Sequence, residues 1–189
     1  MRPALALALL ALALTSCSFY RSFDPGEYPR GEGIEYLRPP LPLDSGELDF
    51  IISEGMTWEE ANAAMNSELI LFVRFSPECP VSRDVLPHLA ALVPFHEQRG
   101  FQVIAVSTAD TPPDEAVRHM GFHEIRLPLF HEHERSATLF PTDVTPSAAL
   151  VDDRGRIFAR HRWATPQRPA VEDIEAVVDH LLRGNPWRP

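Results

Sequence analysis

The chain is 189 residues long, has a formal net charge of -10 at pH 7 and contains no lysine, so its 17 basic residues are all arginine. An acidic balance of this size leaves no basic surface for phosphates, and nucleic acid is excluded as an expected partner. Only two cysteines are present, Cys17 and Cys79.

In chain order, Met1 to Ser16 begins Met-Arg-Pro and runs into an almost uninterrupted Ala/Leu stretch ending Leu14-Thr15-Ser16-Cys17. A charged start, an apolar middle and small residues at a cleavage site make a secretory signal. The apolar run from Ala4 to Leu14 is too short for a membrane-spanning helix, which needs about 20 residues. The ending resembles the lipobox of bacterial lipoproteins, and that resemblance implies that Cys17 is lipidated and becomes the mature N-terminus. The competing reading makes Cys17 only a small residue near an ordinary cleavage site. Ser18 is not the aspartate that favours inner-membrane retention in enterobacterial lipoproteins, so the expectation leans toward the outer membrane, facing the periplasm. With Cys17 committed to lipid, Cys79 remains as one free thiol in an oxidising compartment.

Residues 1–16 are therefore read as signal peptide and 17–45 as a lipidated N-terminus and tether. Pro25, Pro29, Pro39, Pro40 and Pro42 punctuate the latter, with no apolar period of helix or strand. Its alternative is a tail packed on the domain through Tyr28, Ile34, Tyr36 and Leu37. About 170 residues remain after the signal, enough for one domain with its own core. That domain is placed at 46–184, with 185–189 as a C-terminal tail.

Thr57-Trp58-Glu59-Glu60 has capping-box spacing and predicts a short helix through Met65. Leu69 to Phe75 is an apolar run short enough for a buried strand. A helix is expected from Pro80 to about Arg99, with Leu86, Leu89, Ala90 and Val93 inward, Pro87 and Pro94 bending it and Gly100 ending it. Phe101 to Ser107 reads as a second core strand. Thr111 should cap a helix that opens with Pro112-Pro113-Asp114. Leu127 to Phe130 predicts a short strand and Glu134 to Phe140 a helical turn. Ser147 to Val151 and Arg156 to Trp163 form a hairpin around the polar turn Asp152-Asp153-Arg154-Gly155. Pro169 to Arg183 is an amphipathic helix with Val171, Ile174, Val178 and Leu181 inward, stopped by Gly184.

Cys79 thus falls between a core strand and the first turn of a helix, where unpaired N–H groups and the helix dipole favour an anion. Arg74 and Arg83 are close enough in sequence to add to that effect, and Glu78 opposes it; the expectation is an accessible thiolate near neutral pH. The alternative is a small buried hydrophobe, against which stand Pro80 and the polar Ser76-Pro77-Glu78 run.

The strand, Cys79-Pro80-Val81-Ser82, the helix with Pro87, Val144-Thr145-Pro146-Ser147 and the Asp152 to Gly155 turn together resemble the thioredoxin superfamily. The likeness is to its membrane-anchored periplasmic, TlpA-like and redoxin branches, and it covers about Gly55 to Arg183. It implies an α/β protein with a central mixed sheet flanked by helices and a C-terminal β-hairpin plus helix. It also places Cys79 as the attacking thiol, Ser82 at the position of the resolving cysteine, and Pro146 as a cis-proline preceded by Thr145, whose backbone would bind a substrate strand. The sequence departs from the family pattern in three ways. Glu78 replaces the usual tryptophan, Val73 replaces a buried acid, and with Ser82 in the second position (Cys-x-x-Ser) no resolving thiol is present. A hydroxyl can hydrogen-bond a thiolate but cannot displace a thiol from a mixed disulfide.

Peroxiredoxins carry a hydroxyl residue three positions before the reactive cysteine, as Ser76 does, and a proline seven before it, where this chain has Phe72. His131 and His133 would share a strand face, and with Cys79 they invite comparison with the Sco copper chaperones, whose two-cysteine motif is missing. A solvated loop is the expectation there, and no metal or cofactor is assigned. His88 and His96 are read as helix positions without a site role, and Trp58 and Trp163 as packing residues. The resulting expectation is a lipid-anchored periplasmic protein whose single redox cysteine exchanges with periplasmic thiol or disulfide proteins or small thiols. Its rivals are a non-catalytic binding module and a one-cysteine peroxidase.

Overall fold

The computed structural model describes residues 34–43, 67–132, 139–140, 144–163 and 171–184. Cys17, Tyr28, the expected helix from Thr57 to Met65 with Trp58, His133 and the tail 185–189 lie outside them. Strands are β1 (Ile34–Pro42), β2 (Leu69–Phe75), β3 (Phe101–Ser107), β4 (Leu129–His131), β5 (Ser147–Asp152) and β6 (Arg156–Arg162). Helices are α1 (Pro80–His96), α2 (Pro113–Phe122) and α3 (Val171–Gly184). No described helix is long and apolar enough to cross a membrane.

The strands form one six-stranded mixed sheet in the order β1-β6-β5-β2-β3-β4. β2, β3 and β4 are mutually parallel, whereas β5 is antiparallel to β2 and to β6, and β1 is antiparallel to β6. One register row crosses all six strands through Ile34, His161, Ala148, Val73, Ala105 and Leu129. Every residue of β2 is buried, which accounts for its nearly continuous apolar run, interrupted only by Arg74: a central strand covered on both faces has no solvent side to mark with polar residues. Leu69, Leu71, Val73 and Phe75 enter one core cluster with residues of α1, α2 and α3. Ile70 and Phe72 enter a second with Ile104, Val106, Leu139 and Phe140.

The tether reading is corrected between Ile34 and Pro42, which form β1 rather than free chain. Ile34 and Tyr36 pack against the first cluster, while Leu37 and Leu43 pack against the second. The register shifts between Tyr36 and Leu41, so the apolar side chains change face and the period-2 signature is lost. Prolines are tolerated because β1 is an edge strand. The domain therefore begins before residue 46.

Helix α1 buries Val85, Leu86, Leu89, Leu92 and His96; the expected Ala90 and Val93 only flank the core. A 3₁₀ turn, Glu97–Arg99, leads to Gly100, which stops the helix in the left-handed conformation at φ 80°. The Gly100 carbonyl accepts from Glu68 N at 2.7 Å and Leu69 N at 3.0 Å, tying the end of that helix to the start of β2. Thr111 does not cap α2: its hydroxyl lies 2.8 Å from that of Thr108, and Pro112 occupies the cap with no side-chain bond. The short fourth strand is Leu129–His131, a shift of one to two residues. Of the helical turn expected from Glu134 to Phe140, residues 134–138 lie outside the described residues, and Leu139 and Phe140 are not helical.

In the hairpin, Asp152 is the last strand residue, and its carboxylate organises the turn. It accepts from the backbone N of Arg154 (3.1 Å) and of Arg156 (2.8 Å) and from two guanidinium nitrogens of Arg156 (2.9 and 2.7 Å). Val171, Ile174, Val177, Val178 and Leu181 form the buried stripe of α3, which continues through Gly184, and Trp163 packs in the same cluster.

Candidate active site

β2 delivers the chain to the carboxyl edge of the parallel strands, and a tight turn reverses it into α1. Cys79 N donates to Ser76 O at 3.1 Å, and Glu78 N donates to the Ser76 hydroxyl at 3.3 Å. Cys79 is the N-cap residue, with extended backbone and Pro80 in the first turn; Arg83 N donates to its carbonyl at 3.2 Å. The thiol is half-buried and free. It is neither a core hydrophobe nor remote from polar groups, as the sequence reading anticipated.

Ser82, three residues on, is fully buried. Its oxygen accepts from Ser76 N at 3.3 Å, which leaves its own proton to donate to sulfur. From the other side come Thr145 and Pro146, whose peptide bond is cis. The Cys79 thiol donates to the Thr145 carbonyl at 3.2 Å. Burial pushes the Cys79 thiol up, but the Ser82 N–H, the Ser82 hydroxyl, the Thr145 hydroxyl and the Val81 N–H oppose it. The balance places the thiol below its ordinary value. The Thr145 carbonyl favours the neutral thiol in this arrangement and must exchange for a donor when sulfur ionises.

The arginines do not carry that effect. Arg74 is buried and gives its Nε to Glu132 at 2.7 Å, and it points to the face of β2 opposite Val73 and Phe75. Arg83 acts on His119 instead: burial, His123 and the Arg83 charge together lower that histidine's pKa. Val73 is fully buried in hydrocarbon, so the sheet supplies no carboxylate behind the thiol at that position. Glu78 is exposed.

His131 does not join Cys79. Its Nδ1 lies 2.9 Å from the Ser107 hydroxyl, which also donates to Phe130 O at 3.3 Å. His88 Nδ1 sits 2.6 Å from Asp84 O on an exposed face, and His96 is buried edge-on to Phe101 with Arg99 at 3.1 Å. Among the described residues no group of three or more metal-ligating side chains converges. The sequence reading missed the Val81 N–H and the Thr145 hydroxyl as donors. The first had a signal in its place at the helix start; for the second, the resemblance brought only the Thr145 backbone to the site, not its hydroxyl.

No family model matches the chain, and no curated protein sequence matches it. Many solved structures share the fold. A DsbF homologue from Corynebacterium diphtheriae superposes with a TM-score of 0.56 at 17% identity, covering 81% of this chain and 96% of its own. A thioredoxin-family thiol:disulfide interchange protein from Chlorobium tepidum TLS gives 0.55 at 17% identity, over 76% of this chain and 95% of its own. A hypothetical protein of Sinorhizobium meliloti 1021 gives 0.57 at 20% identity, over 77% and 80%. The fold is thioredoxin-like, as the resemblance implied.

Proposed function

We propose that the chain is a monothiol thiol–disulfide exchange protein that acts through Cys79, anchored by lipid on Cys17 and facing the periplasm. The observation that carries this reading is the surrounding of one half-exposed thiol by donors from Val81, Ser82 and Thr145. Such donors stabilise a thiolate, and the thiolate is the attacking species in exchange.

The reaction follows from the sulfur inventory. The Cys79 thiolate attacks one sulfur of a partner disulfide; a new S–S bond forms as the old one breaks, and the partner's second sulfur leaves as a thiolate. Ser82 stabilises the reactant anion and has no sulfur with which to release the adduct, so an external thiol must attack it. That second step restores the Cys79 thiolate and moves the disulfide to the incoming thiol. The backbone around Thr145 and Pro146 flanks the sulfur and would hold an extended partner segment.

Non-reducing gels test the reading. The wild type should accumulate mixed disulfides through Cys79, and Ser82→Cys should dissolve them and gain dithiol reductase activity, because an internal thiol acts at a concentration no external one matches. Absence of adducts in the wild type, with no activity gained in a folded Ser82→Cys variant, would overturn exchange in favour of a binding module.

A further inference from the structure

The last turn of α2 carries a His-x-x-x-His pair that the redox chemistry does not use. His123 N donates to His119 O at 3.1 Å, so helical spacing persists through His123 and both side chains leave the same face one turn apart. The two imidazole centroids are 4.5 Å apart and tilted by 53°. Nitrogens that ligate one ion at about 2.0–2.1 Å in tetrahedral geometry stand roughly 3 Å from each other, a separation that rings this close reach by rotation of χ angles.

The surroundings add a second observation. His119 Nε2 is buried with no hydrogen-bond partner among the described residues, a cost that a ligand bond would remove. Phe75 lies 5.8 Å from His119 with its ring tilted by 30°, and the exposed Phe122 stands edge-on at 5.0 Å from His123; neither ring offers a competing acceptor. Arg83 is the nearby charge that acts on His119.

We propose that His119 and His123 bind a divalent transition-metal ion of borderline softness, Zn²⁺, Cu²⁺ or Ni²⁺, with water in the remaining positions. Neutral imidazole is the protein ligand that suits these ions, and two protein ligands leave the site open. The net charge of -10 draws cations toward the molecule as a whole, while Arg83 opposes entry locally.

Titration calorimetry with Zn²⁺ on the full chain, repeated with Cu²⁺ and read by the nitrogen hyperfine pattern of its electron spin resonance, tests the site. All variants are made in a Cys79→Ser background so that the thiol cannot contribute. A single ion per chain should bind. Affinity should fall at least about tenfold in His119→Gln and in His123→Ala, since even outer-shell partners of a metal typically contribute that much. It should hold in His131→Ala and rise in Arg83→Gln. No saturable binding in the Cys79→Ser protein, or full affinity in a folded His123→Ala variant, would overturn the proposal, whatever the outcome at Cys79.

Discussion

Sulfur at Cys79 is held between opposing tendencies, and the hydroxyl of Ser82 is the most direct way to tilt them. Replacing Ser82 by Ala removes one donor to the thiolate, and a hydrogen bond to a charged group contributes about 1.5–3 kcal/mol. The thiol pKa should therefore rise, and the alkylation rate with iodoacetamide at a fixed pH below the midpoint should fall. The sign is fixed: the rate climbs as pH rises through the folded value, so the Ser82→Ala curve lies to the alkaline side of wild type. Thr145→Val, which deletes the hydroxyl and keeps the carbonyl, should move the curve in the same direction. A different kind of pair lies across the sheet, where Arg74 and Glu132 are both buried. Glu132→Gln removes a charged partner of the buried Arg74 guanidinium and should lower unfolding stability, read by urea titration, whereas apolar replacement of both should recover much of the loss. Cys79 and Ser82 were legible because they sit in one local motif. Arg74 and Glu132 were not, since 58 residues separate partners that only the sheet brings together.

At the level of elements, the apolar runs of β2 and β3 and the stripes of α1 and α3 declared themselves, because a helix repeats its buried face at a fixed period and a central strand covered on both faces is apolar almost throughout. Strand β1 did not: a register shift between Tyr36 and Leu41 and three prolines erase any such period. Its contribution can be measured. Ile34 is half-buried against the core, and Ile34→Ala should destabilise by about 1–2 kcal/mol, below the 2–5 kcal/mol of a fully buried site. Removing the chain through Pro42 should do more, exposing β6 as an unpaired edge that promotes self-association, visible by light scattering. Gly100 offers a second test. Its φ of 80° is left-handed, and a Cβ there would stand 2.9 Å from Glu68 Cγ and 3.1 Å from Glu68 N. Gly100→Ala should lower stability by about 1–2 kcal/mol from the backbone conformation, more where the Glu68 amide cannot yield.

For the whole molecule, membrane attachment rests on the sequence around Cys17. Cys17→Ala should release the protein into the soluble fraction after a salt wash; retention would mean another anchor. The row that joins Ile34, His161, Ala148 and Val73 gives this attachment a direction. β1 runs antiparallel to β2, so the chain enters the sheet at the edge where β2 hands over to Cys79, not at the opposite end. With lipid on Cys17, the 17 residue steps to Ile34 span at most about 60 Å. On the proposed anchor, the attachment would lie on the reactive side, and Cys79 would search a thin layer above one leaflet instead of the whole compartment. A disulfide carried by another protein of the same membrane would then meet it as though the two were tethered together, with the gain in encounter that confinement brings. A small thiol diffusing through the compartment gains nothing. Cutting the leash should therefore slow adduct formation with membrane-held partners while leaving the reaction with free small disulfides unchanged, a contrast that reports where this thiol was built to search.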